Sequence, residues 1–479
     1  MLDSLKQKWV YGSGLAFIVL AALFLYFEVL WFLALPVALL IVYLALFRLH
    51  WLMLLIVFVT PVSITIDNVG GGFGLTLPTD PLMFGAMLVF LFKVFYDHRY
   101  DMRIVKHPIS IAIFINLIWM FLTSITSELP LVSFKFLISR LWFVVTFYFI
   151  AVQMFRYRDL LIKYFWMYII PMTFVIIYTM SRQYVRAFDE KAAHWVMAPF
   201  FNDHTSYGAL IAMFIPLLFN FMFDEKFKID AKIISGFFFF IFLIGLIMSY
   251  TRAAWVSVVA AIFLAILIKL RIRWWVLSLM GVTLVALVFS FQTTILQELE
   301  QNRQDSSGDL AEHVQSITNV ATDASNLERI NRWKSAFRMF AEDPVMGKGP
   351  GTYAFLYAPY QHSSDLTIIS TNFGDLGTAH SEYFGPLAEQ GVMGMVTFLL
   401  IVFMLYYTGI PLYYKLKHKR DRAILMSVIL GLTTYLTHGV LNNFLDTDKA
   451  SVPFWGFLAV IVVMDLYCEK NEQSIEKAS

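Results

Sequence analysis

The chain alternates between long apolar stretches and short polar links almost from end to end. Runs of about 17 to 22 apolar residues recur, the length an α-helix needs to cross a hydrocarbon layer. This pattern predicts spans near 9–27, 29–47, 51–66, 81–96, 109–125, 132–154, 160–180, 204–223, 233–250, 253–268, 274–291, 391–413, 423–440 and 453–468. The expected fold is an all-α polytopic membrane protein of about 12–14 transmembrane helices. One polar interval interrupts it, at 292–390. The organisation expected is a bundle over 1–291, a large loop over 292–390, further spans over 391–468 and a short tail at 469–479. No internal repeat stands out.

The links differ in charge. Basic residues gather at Lys6 and Lys8, Arg48, Arg99–Lys106, Arg156–Lys163, Lys226–Lys232, Lys269–Arg273 and Lys415–Arg422. By the positive-inside rule this set is cytoplasmic, so 67–80, 126–131, 181–203, 251–252, 292–390 and 441–452 are exported. The large loop is then expected in the periplasm of a bacterial inner membrane.

Composition agrees on the class: 59% of residues are apolar and only 15% charged, against about a quarter charged in soluble domains. The net charge of +2 gives no reason to expect a nucleic-acid partner. A single cysteine, Cys468, excludes a disulfide framework and a cysteine-based metal site.

Within the large loop, Ser325-x-x-Glu328 has the form of a capping box and marks a helix start. Ile330, Trp333, Phe337 and Phe340 follow at helical spacing and make one apolar stripe. Arg329 borders that stripe, while Arg332, Lys334 and Arg338 are expected to be surface charges. Asp343-Pro344 ends the helix, and Gly347, Gly349 and Gly351 permit a tight backbone path. The Gly-Lys-Gly-Pro-Gly run lacks the spacing of a phosphate-binding P-loop.

Several residues could carry chemistry. Arg252 opens a span on the exported side, where it is either a snorkelling cation or an anion contact. Arg182, Arg186 and Lys191 crowd a short exported loop and could attract an anionic headgroup. Arg140 lies within a span, where a cation is expensive and tends to face a cavity or a partner, making it a candidate phosphate contact. Asp446-Thr447-Asp448 has the DxD form of metal-dependent glycosyltransferases, but such triplets are frequent by chance, and no metal or other cofactor is expected. Arg329, from the residues alone, reads as a solvated charge.

The spacing of one set of residues changes that reading. His380 and Ser381 are followed, after nine residues, by Gly391 and then Gly394. Upstream stand Arg329, Trp333, Pro344, Gly347 and Gly349 in order. In these positions the chain resembles the O-antigen ligase and polymerase superfamily of polyprenol-dependent glycosyltransferases, specifically over about 250–395 and more weakly near 199–219. The resemblance implies a glycan donor on undecaprenyl pyrophosphate and an acceptor hydroxyl, on lipid A-core for a ligase or on another lipid-linked glycan for a polymerase. It implies that Arg252 and Arg329 hold the pyrophosphate and that His380 takes the acceptor's proton, with Trp333, Gly349 and Ser381 beside the substrates. Protein O-glycosylation from the same donor is an alternative. A transporter or flippase of anionic lipids is a further one, although the inverted repeats that such proteins often carry are not evident.

Overall fold

The computed structural model describes residues 34–66, 74–97, 100–224, 227–272, 324–367, 370–371 and 377–476, and most of 11–26. The expected span at 274–291 and the polar stretch at 300–323 lie outside the described residues.

Helices dominate. In chain order they are α1 (Leu35–Phe47), α2 (Leu49–Val59), α3 (Thr79–Asp97), α4 (Pro108–Ile125), α5 (Pro130–Val144, continued by a π-turn to Phe155), α6 (Arg158–Tyr184), α7 (His204–Phe223), α8 (Ile229–Met248), α9 (Arg252–Lys269), α10 (Ala324–Glu342), α11 (Phe384–Lys415), α12 (Lys419–His438) and α13 (Asp448–Glu476). A small hairpin of Ile64–Ile66 and Leu75–Leu77 joins α2 to α3. Among the described residues nine helices are long and apolar enough to cross a membrane, and two shorter apolar ones, α1 and α2, accompany them. The protein is a multi-pass, all-α membrane protein.

Burial sorts the helices by role. The core of the bundle is α13, whose residues Val452 to Val463 are apolar around the whole circumference and buried throughout, as a helix enclosed by others must be. Tyr164 and Tyr168 of α6 donate to the Val452 and Lys449 carbonyls at 2.6 and 2.9 Å. On the periphery, α3, α8 and α9 leave large apolar side chains exposed, among them Phe92, Phe95, Phe237, Phe240, Ile262 and Phe263. Such a belt is at home in lipid. Helix α12 is the exception to the apolar pattern. It opens Lys-Arg-Asp-Arg and carries three threonines, yet it packs among α7, α9 and α13.

Polar contacts divide the links into two groups. At one end Arg103 and Arg156 both reach Asp101, Arg158 pairs with Asp421 at 2.5 Å, and Arg420 pairs with Asp224 at 2.8 Å. These ties join basic links that the charge pattern assigns to one side. At the other, Lys348 meets Glu128, Thr251 donates to the His204 carbonyl, and Asp448 accepts from Ser63 and Thr79. The expected orientation has a direct check: a periplasm-only reporter fused at residue 310 should be active and one fused at 418 silent. The reverse pattern would invert the topology.

The polar interval ends earlier than its apolar pattern indicates. Helix α11 starts at Phe384 and is broken at Gly391, whose φ of 67° is non-helical. The break gives α11 a seven-residue head lying ahead of the expected span. Helix α10 packs on α11.

Candidate functional site

Helix α10 covers Ala324–Glu342. Within it Glu328 pairs with Arg332 at 2.6 Å and accepts from Ser370 and Thr367. The helix ends at Glu342, just before Asp343-Pro344, as expected.

Two faces of α10 are covered. On one, Trp333 and Phe337 pack on Phe384 with ring centroids 5.3 and 5.1 Å apart. On the other, Ala336 and Met339 join Tyr353, Tyr357, Ala379 and Ala388 in a small core. This second cover corrects the expectation for Arg332. Rather than a surface charge, it is a buried cation 3.9 Å from the Tyr357 ring centroid and within 3.1 Å of Thr371 Oγ1. The single stripe read from the sequence hid it, because the 353–371 segment that encloses it is distant along the chain. Lys334 and Arg338 share Asp365 at 2.7 and 2.6 Å.

The glycines hold this unit to the bundle. Gly349 has φ 112°, and a Cβ there would stand 1.9 Å from Ser127 Oγ. Its N–H donates to the Glu389 carbonyl at 2.7 Å, and the Val392 N–H donates to that of Pro344 at 2.9 Å. Lys348 is buried beneath and binds Glu128, Glu342 and Asp343. Gly349 is therefore a docking point, with serine hydroxyls filling the space a side chain would take. Of the three loop glycines, Gly351 lines a cavity.

His380 sits where these parts converge. Its backbone is left-handed, with φ 48°, a conformation sparsely used by non-glycine residues and often kept at functional positions. Trp333 Nε1 lies 3.4 Å from the His380 carbonyl oxygen, so the Arg-x-x-x-Trp helix grips the histidine loop directly. Ser381 is fully buried, and its Oγ accepts from the Tyr383 and Phe384 N–H groups. It caps the head of α11, a helix-start role for the residue following the histidine.

Charges reach His380 from α10 and from Asp203. Burial, and then the cations Arg329 and Arg332, hold its imidazole down at about 4, against partial opposition from Asp203 and Glu328. The near-neutral basicity of a free histidine is absent, since burial first and then two guanidinium groups disfavour a positive charge on the ring. His438, at the end of α12, lies in the field of Arg329, Asp203 and His204. It is fully buried, and neither ring nitrogen has a hydrogen-bond partner in the protein. Asp203 caps α7 through Thr205 and Ser206, and the His204 ring stacks on His194 at 4.1 Å. The Thr251 hydroxyl ties the start of α9, and with it Arg252, to the His204 carbonyl at 2.8 Å. Arg329 and His380 are thus brought together, while Arg252 opens α9, whose start is tied to His204.

Residues 237–399 match the Wzy_C family model, described as O-antigen ligase. Over this third of its length the chain is similar to the O-antigen ligase family. No curated protein matches the chain. The O-antigen ligase match contains Arg252, Arg329 and His380, whereas Asp203 and His438 come from helices on either side of it. It supports a ligase- or polymerase-type function acting on lipid-linked glycan and a glycan acceptor. Asp203 and His204 fall in the 199–219 stretch of the weaker resemblance. His438 had no signal beyond being a histidine at a helix end.

Other expected site residues fall elsewhere. Arg182 donates to the Val196 and Ala198 carbonyls at 3.0 and 2.5 Å and lies by the Trp195 ring, pinning the 195–199 turn. Arg186 stands over the same ring at 4.4 Å. Arg140 is enclosed near the site, donating to the Leu445 carbonyl at 3.2 Å. In the DxD triplet, Asp448 is held by the Ser63 and Thr79 hydroxyls and Asp446 lies in the field of Arg140. Among the described residues no group of three His, Cys, Asp or Glu side chains is arranged to hold a metal ion.

Proposed function

We propose that the protein transfers a glycan from undecaprenyl pyrophosphate to a sugar hydroxyl of lipid A-core, on the periplasmic face of the bacterial inner membrane. The observation carrying this reading is the meeting of Arg329 with a neutral His380 on one loop–helix unit; the Arg252 helix start is tied to His204.

Breaking the bond between an anomeric carbon and a pyrophosphate builds negative charge on the leaving group. Guanidinium groups remain protonated and grip phosphate oxygens in a planar fork. Arg329 and Arg252 supply that charge without a divalent ion. His380 is deprotonated at neutral pH and so able to accept the proton of the attacking hydroxyl. When the anionic donor arrives it offsets the two guanidinium charges, so the imidazole becomes more basic as the complex forms. A single displacement inverts the anomeric configuration.

The test is glycan transfer by the purified full-length chain, with lipid-linked glycan as donor and lipid A-core as acceptor, with and without EDTA. Transfer that survives EDTA is expected. Movement of lipid-linked glycan across a bilayer without bond change would replace this reading with a transporter. Product lengthened on the lipid carrier, rather than joined to lipid A-core, would make the protein a polymerase.

A further inference from the structure

Beside the histidine loop lies a cavity of about 150 Å³ enclosed by α4, α5, the head of α11 and the start of α13. Its walls hold three polar atoms that find no partner in the protein: Trp455 Nε1, Gln390 Oε1 and Asn443 Oδ1. Trp455 and Gln390 are each only 2% exposed. An unmet buried donor or acceptor is destabilising, because it has given up water for nothing. Three around one cavity are therefore poor packing but good preparation for a ligand that carries both donors and acceptors.

The same walls carry aromatic faces, those of Phe136, Tyr353 and Trp455. Arg140 lies between the Phe136 and Trp455 rings, at 5.5 and 6.0 Å from their centroids. Its charge is already spoken for. Glu382, Asp446 and Glu389 all act on it, and all three line the cavity. Glu382 in turn is fixed by Tyr435 Oη at 2.5 Å and by the Phe444 and Leu445 N–H groups at 2.8 Å. One cation among three carboxylates does not favour a phosphate.

We infer that this cavity is a recognition subsite for one uncharged sugar ring of the transferred or accepting glycan, and that Arg140 serves this ring rather than the pyrophosphate. The inference rests on the glycan-transfer reading for its place in the reaction. Its chemistry stands on the cavity alone. A pyranose presents an apolar ring face to an aromatic side chain and hydroxyls at its rim. The indole N–H offers a donor to one hydroxyl, and the two amide oxygens accept from others. A uronic acid would have to bury its charge beside the carboxyl groups of Glu382, Glu389 and Asp446 and is not expected to bind.

The test uses the full chain in detergent and saturation-transfer NMR with methyl glycosides of glucose, galactose, N-acetylglucosamine and glucuronic acid. At least one neutral glycoside should bind, the glucuronide should not, and inorganic pyrophosphate should not displace the neutral sugar. Gln390→Leu combined with Asn443→Leu should weaken sugar binding by about tenfold or more while the melting temperature holds, since unmet polar atoms are removed rather than satisfied ones. In the transfer assay the same variant should raise KM for whichever substrate carries the ring, the acceptor or the lipid-linked donor. Displacement by pyrophosphate, preference for the glucuronide, absence of any neutral-sugar binding, or unchanged binding in the double variant would each overturn the subsite. Sugar binding in a chain that transfers no glycan would leave the subsite standing and remove the transferase reading instead.

Discussion

Replacing His380 with alanine should lower transfer by roughly 10²–10⁴-fold, the usual contribution of a general base, while donor binding stays near that of the parent. Arg329→Ala should instead weaken donor binding and transfer together, by roughly 10²–10³-fold in transfer if it acts like an oxyanion donor. Arg329→Lys keeps the charge but loses the fork and should remain strongly impaired. The pH profile separates the roles further. With its imidazole held at about 4, His380 is neutral throughout pH 6 to 8, so kcat/KM should show no inflection from it in that range. Its acid limb should fall near pH 4. Because the bound pyrophosphate offsets the guanidinium charges, the acid limb of kcat should lie at higher pH than that of kcat/KM. His380→Gln retains hydrogen bonding without titrating. Parental transfer by that variant would reduce His380 to a positioning group, and an unchanged Arg329→Ala would remove the pyrophosphate assignment.

The second large effect is structural. Gly391→Ala should destabilise the protein severely, because a Cβ there would stand 2.1 Å from the Val345 carbonyl oxygen at φ 67°. The backbone conformation alone costs a non-glycine residue about 1–3 kcal/mol, and the collision adds to it by pushing the 343–351 loop off α11. Thermal unfolding in detergent measures this against Gly14→Ala, whose added methyl meets nothing within 4 Å. A melting temperature equal to the parent's for Gly391→Ala would show that the loop docks differently.

The apolar runs made the membrane fold legible, because span length and period are local properties of the chain. The site was legible where its geometry is also local. The turn of helix between Arg329 and Trp333 and the interval from His380 to Gly394 each lie within one continuous unit. Arg332 was misread because its cover, the Tyr357 ring and Thr371, arrives from a separate segment. His438 and Asp203 meet the site only through the packing of α7 and α12 against α13, which no short spacing encodes. Gly349 was placed beside the substrates by its motif, whereas its neighbours Ser127 and Ser133 lie more than two hundred residues earlier.

Helix α12 carries a consequence for how the protein is made. Its Lys-Arg-Asp-Arg start and three threonines make it a poor guest for lipid on its own. Two of the helices that shelter it, α7 and α9, precede it in synthesis, but α13 follows. Until that last helix arrives, α12 has an open flank, so its stable residence in the bilayer is coupled to completion of the chain. A truncation after residue 440 should leave the nascent protein exposing that flank to quality-control proteases, even though residues 237–399, the stretch similar to O-antigen ligases, have already been synthesised.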